Sequence, residues 1–81
     1  MTSIQFQSGV RKANKQIDKL LKKKTSVMHR RLESIQNKAT KRYYKSIGVV
    51  EESVTDFYKG YYIALSYFLY RGYKFSEYQE F

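Results

Sequence analysis

No cysteine and no proline occur in this 81-residue chain, and histidine appears once. Without thiols there is no disulfide and no thiolate metal site, and one imidazole leaves too few ligands for structural zinc, so neither metal nor cofactor is expected. The composition is compatible with a reducing compartment, and a cytoplasmic location is the expectation. Four scattered glycines provide no Gly-rich phosphate loop. His29 has no Ser, Cys or acid at a spacing useful for catalysis, and Glu51 and Glu52 read as charges at a helix start rather than as a working carboxylate pair. No catalytic residue is assigned, and the chain is read as a non-enzyme.

Long apolar runs are also missing. The longest uncharged stretch, GYYIALSYFLY at residues 60–70, is fenced by Lys59 and Arg71. As a helix it would span about 16 Å, roughly half a bilayer core, so no membrane span is expected. The opening MTSIQFQSGVRK does not have the basic, apolar, small-residue order of a secretory signal. A chain of this length suits a single small domain, 1–81, whose core alone gives roughly 3–5 kcal/mol of stability.

What is present is charge, unevenly placed. Residues 1–48 hold thirteen Lys or Arg against Asp18 and Glu33, a net of +11, while residues 49–81 hold three against five acids, a net of −2; together these make the overall +9. The chain therefore divides near Gly48 into a basic helical region and an aromatic helical region with its tail. Of fourteen aromatic residues, eleven lie beyond residue 56.

In the basic half Val10, Ala13, Ile17, Leu20, Leu21, Met28, Leu32, Ile35, Ala39 and Tyr43 recur at three and four, inside an arc of roughly 140°. The phase does not slip, which predicts one long amphipathic helix over about 9–47, with Ser8 as N-cap and Gly48 as stop. The alternative is a three-helix arrangement with a break near 25, at KTS. A continuous helix would be about 58 Å long, so it would protrude or lie along another subunit. Residues 1–7, where Ile4 and Phe6 alternate with polar residues, read as a short extended arm or a frayed end.

A second helix is expected over about 53–71, opened by Ser53 and Asp56 as a capping box with the shorter acid. Val54, Phe57, Tyr58, Tyr61, Tyr62, Ala64, Leu65, Phe68 and Leu69 fall on an arc of roughly 160°. Ile63, Tyr67 and Tyr70 lie outside it, so this helix is apolar nearly all round. An all-α chain this small offers little to cover it, and self-association is the expected remedy, through Phe57, Tyr58, Tyr61, Tyr62, Leu65, Phe68 and Leu69.

Opposite the apolar stripe of the first helix lie Arg11, Lys12, Lys15, Lys19, Lys22, Lys23, Arg30, Lys38, Lys41 and Lys45. An ordinary solvated helix mixes signs for the sake of i, i+4 pairs, and here only Asp18 and Glu33 could provide them. Such unrelieved repulsion points to a polyanion partner, with Arg42 and Tyr44 of the interleaved KRYYK added to the candidate nucleic-acid contacts and Tyr44 able to stack on a base. Lysine outnumbers arginine eleven to five, which favours phosphate contacts over reading of base edges. RNA is placed slightly ahead of DNA, since no helix-turn-helix spacing is evident. A solvated surface, an acidic protein partner or a membrane surface are the competing readings of the same face. The wealth of Lys, Tyr, Asn, Ile and Phe without proline suits an AT-rich gene. The rival function is accordingly a small phage-type inhibitor or adaptor that binds a host protein or ribonucleoprotein, for example in counter-defence.

Near the end, RGYKFSEY (residues 71–78) resembles the signature of the RNA recognition motif. Arg71, Gly72, Tyr73, Phe75 and Tyr78 match over eight residues, while Lys74 stands where Gly or Ala is usual and Ser76 where Val is usual. The resemblance implies a base-stacking strand. The helical period that runs up to it predicts instead that Arg71 is a last-turn cation and Gly72 a left-handed helix stop.

Overall fold

A computed structural model describes residues 3–76 as three helices: α1 (Ile4–Leu20), α2 (Thr25–Ser46) and α3 (Glu52–Arg71). The protein is all-α, and no strand occurs among the described residues. The string 71–76 accordingly forms no strand; Tyr78 lies outside the described residues. Gly72, at φ +80°, ends α3 and donates its N–H to the Phe68 carbonyl at 2.8 Å, as expected of a left-handed stop.

The long helix over 9–47 is replaced by the three-helix alternative. Helix α1 stops at Leu20, the Lys23 N–H turns back to the Leu20 carbonyl at 3.0 Å, and Lys24 takes an extended ψ before α2 begins. The unbroken phase misled because no in-phase residue falls between Leu21 and Met28. The seven-residue step from Leu21 to Met28 is almost two helical turns, which returns the apolar stripe to its starting angle whether or not the helix continues. Folding back lets both stripes bury, and the chain measures 38 × 24 × 18 Å instead of forming a rod.

Two further expectations are corrected at helix starts. Ser3, not Ser8, caps α1, its Oγ accepting from the Phe6 N–H at 3.0 Å, so residues 4–7 are helical rather than an extended arm. Phe6 is then buried and Ile4 77% exposed, because positions two apart on a helix face different ways. Ser53 lies inside α3, which starts after Glu51 with no side-chain cap, so the Ser53–Asp56 capping box is not formed.

Helix α3 is the middle element. It packs along both α1 and α2, which scarcely touch each other. Ser46 accepts from Thr55 Oγ1, Tyr43 meets Tyr62, and Gln36 donates to Ser66, so α2 runs antiparallel to α3. Helix α1 runs in the same sense as α3: Gly9 faces Phe57 and Tyr61 near its start, while Asp18 pairs with Lys74 beyond its end.

The α1–α3 crossing is a contact of backbones. A Cβ placed on Gly9 would lie 2.1 Å from the Phe57 carbonyl oxygen, and one on Gly60 would lie 2.1 Å from that of Phe6. Only glycine fits at either position. One turn on from each, Ala13 and Ala64 are fully buried.

The cover that α3 needs comes from within the chain. Beyond α3 the backbone folds back onto α1, burying Phe75 edge-on against Phe6 (6.3 Å) and Tyr67 (5.1 Å). The Asn14 side-chain amide holds the Phe75 carbonyl at 3.0 Å. Leu32, Ala39, Ile17, Val10 and Leu65 complete the buried centre.

Candidate nucleic-acid interface

The break at 21–24 changes where the cations stand. Arg11, Lys12, Lys15 and Lys19 are exposed on α1, Lys22 and Lys23 occupy the connection, and Arg30, Lys38, Lys41, Arg42 and Lys45 are exposed on α2. Both acids of this half are already engaged. Asp18 pairs with Lys74, and Glu33 lies 3.2 Å from His29 Nδ1, an i, i+4 partner that the sequence reading did not credit to His29. Among the described residues, no ion pair neutralises Lys12, Lys38 or Arg42.

Three of the expected cations meet at one place. Lys12 from α1 and Lys38 and Arg42 from α2 line a recess of about 190 Å³ together with Gln16, Ile35 and Ala39, and its floor is Phe57, Tyr58 and Tyr61 of α3. The Phe57 and Tyr61 rings lie nearly parallel, 6.4 Å apart, and Lys12 Nζ sits 5.7 and 5.3 Å from their centres. Cation–π attraction holds the ammonium there without cancelling its charge. Among the described residues no carboxylate lines the recess. Burial pushes the Tyr61 phenol above its ordinary pKa despite the opposing pull of the Arg42 charge, so at neutral pH its hydroxyl keeps its proton and can donate.

The other expected contacts are dispersed. Arg11, Lys15, Lys19, Lys22, Lys23, Arg30, Lys41 and Lys45 do not line this recess. Tyr44 is 62% exposed, as expected for a residue among the cations, with its ring 5.1 Å from Tyr43. Tyr43 packs inward on Tyr62 at 4.9 Å; burial, then the neighbouring phenols of Tyr44 and Tyr43, raise the Tyr62 pKa.

The residues expected to join subunits are used largely inside the chain. Leu65 is fully buried, Phe68 and Leu69 pack on the core, and Phe57, Tyr58 and Tyr61 floor the cationic recess. Arc position did not show this because α1 and α2 take two sides of α3 at once. The aromatic surface left outward is the minority face, where Tyr62, Ile63, Ser66, Tyr67, Tyr70 and Arg71 border an open groove of about 560 Å³ and Tyr70 is 90% exposed. Gln16 was not singled out from sequence, and the aromatic floor of Phe57, Tyr58 and Tyr61 was assigned to self-association instead. The only advance signal was the i, i+4 spacing of Lys12 with Gln16 and of Lys38 with Arg42.

Among the described residues no three His, Asp or Glu side chains come together as metal ligands, and no helix is long and apolar enough to cross a membrane. Comparison with known protein families, curated proteins and solved structures finds no match to this chain.

Proposed function

We propose that this is a small non-enzymatic nucleic-acid-binding protein that grips the phosphate backbone electrostatically, with little sequence preference, RNA slightly ahead of DNA. The observation that carries the reading is the convergence of Lys12, Lys38 and Arg42 from two helices around a recess that no carboxylate among the described residues lines, flanked by further exposed lysines. Like charges held together in this way repel, and a polyanion relieves the repulsion. The outward groove at Ile63, Tyr67 and Tyr70 supports self-association on a separate face, leaving the cations free.

A second reading rests on that same groove: an inhibitor or adaptor whose aromatic face docks a host protein or ribonucleoprotein. One purification separates the two. Absorbance ratio and mass are measured before and after a high-salt wash, for the native chain and for a variant with Lys15, Lys19, Lys22 and Lys23 changed to Glu. Nucleic acid that co-purifies and is lost in the variant supports the first reading. If six to ten phosphates are contacted, affinity falls about 10³- to 10⁵-fold between 50 and 200 mM salt. A flat salt response refutes backbone binding, and a protein partner retained by the clean chain supports the second reading.

A further inference from the structure

We propose that the recess between α1, α2 and α3 is a specific site for a terminal phosphate monoester of the bound strand, an inference that rests on the nucleic-acid reading above. The exposed lysines along α1 and α2 can meet internal phosphates anywhere along a strand. The recess differs from them in two respects: all three helices build it, and its volume of about 190 Å³ falls below that of pockets for whole drug-sized ligands.

Its chemistry is donor-rich and acceptor-poor. Lys12, Lys38 and Arg42 bring three positive charges, the Gln16 amide can donate, and the protonated Tyr61 hydroxyl can donate. None of the three cations has an ion-pair partner among the described residues. An internal phosphodiester carries one negative charge, whereas a terminal monoester carries about −1.5 to −2 at neutral pH and offers three strong acceptor oxygens. Three cations around so small a volume match the terminal group better, and the planar guanidinium of Arg42 can hold two of its oxygens at once. Ile35 and Ala39 give the adjoining sugar an apolar surface. The site therefore fixes one end of a strand whose remaining phosphates are held without register.

The test uses one short single-stranded RNA made in three forms: with a 5′-phosphate, with a 3′-phosphate, and with hydroxyls at both ends. Fluorescence anisotropy is read with the full chain and with R42Q, R42K and K19Q, each checked for helicity by circular dichroism. One phosphorylated form should bind about tenfold or more tightly than the hydroxyl form, the scale of one hydrogen bond to a charged group. R42Q should abolish that preference and R42K restore part of it, while K19Q weakens all three forms equally. Equal binding of the three RNAs by the native chain overturns the terminal-phosphate site and leaves backbone binding standing. Persistence of the preference in folded R42Q overturns the assignment to this recess. Failure of all three forms to bind at low salt overturns the broader reading and this one with it.

Discussion

Replacing Gly60 by Ala adds one methyl group at the point where α1 and α3 touch through their backbones. The new carbon would lie 2.1 Å from the Phe6 carbonyl oxygen and 2.9 Å from its carbon; opening the first distance to an ordinary 3.4 Å contact moves the helices apart by about 1.3 Å. No side chain can rotate to make room, because the atoms in the way belong to the backbone of α1. Overpacking of this kind costs typically 1–3 kcal/mol, and the absence of a compliant neighbour puts this case at the upper end. Alanine regains about 0.5–1 kcal/mol in helix propensity. The net loss is about 2 kcal/mol, against a total of roughly 3–5 kcal/mol for a core of this size.

At 4–8 °C per kcal/mol for a domain of this length, the melting midpoint should fall by about 8–16 °C, read by far-UV circular dichroism. Gly9→Ala should behave alike, since its Cβ meets the Phe57 carbonyl at the same 2.1 Å. The double variant should lose less than the sum of the two, because helices already parted by one methyl accommodate the second. Gly48→Ala is the control: its Cβ would meet nothing within 4 Å, so only the cost of its φ of +74° remains, about 1–2 kcal/mol. A Gly60→Ala protein that melts at or above the native midpoint would show that propensity wins and that α1 and α3 do not meet as described.

Two other perturbations follow from charge. Tyr61 and Tyr62 have pKa values raised chiefly by burial above the ordinary 10.0 of tyrosine. The folded state then holds these protons more tightly than the unfolded state, so the stability they contribute is fully present below pH 10 and is lost as pH rises through the folded values. Alkaline denaturation followed by tyrosinate absorbance should be shallower in Tyr61→Phe, and an unchanged profile would refute the linkage. Separately, screening of the cations on α1 and α2 should raise the melting midpoint as sodium chloride goes from about 10 mM to 150 mM, where the Debye length falls from about 30 Å to 8 Å. A midpoint that stays level or drops would mean that the cations do not strain the fold.

The helical class and the end of α3 at Gly72 were legible because each rests on local chemistry, a period of three and four and a left-handed glycine, whereas α2 ends at Ile47 in an extended conformation, one residue before Gly48. The break at 21–24 was legible only as the alternative near 25, at KTS, behind the continuous helix. Its only local mark is Lys24 in an extended conformation without a side-chain cap, and the apolar stripe resumes in phase after two turns. Gly9 and Gly60 were equally opaque, since no local pattern marks either as a contact. Their purpose exists only in the pair, fifty-one positions apart, that lets two backbones touch.

The same missed break decides what the cations can do. On one continuous helix Lys12 and Lys38 would stand about 39 Å apart, each facing solvent along a rod. Folding at Leu21–Lys24 sets them across one recess, with Arg42 a turn beyond Lys38 and the rings of α3 below. Helices α1 and α2 bury little against each other, so α3 alone holds their charges at close range. Sequence could therefore show that the charge was present and lacked acidic partners, but not that it converged. The recess exists because the aromatic helix is covered from two sides by the two halves of the basic stripe, and the residues that cover it, Lys12, Lys38 and Arg42, are also cations with no ion-pair partner among the described residues.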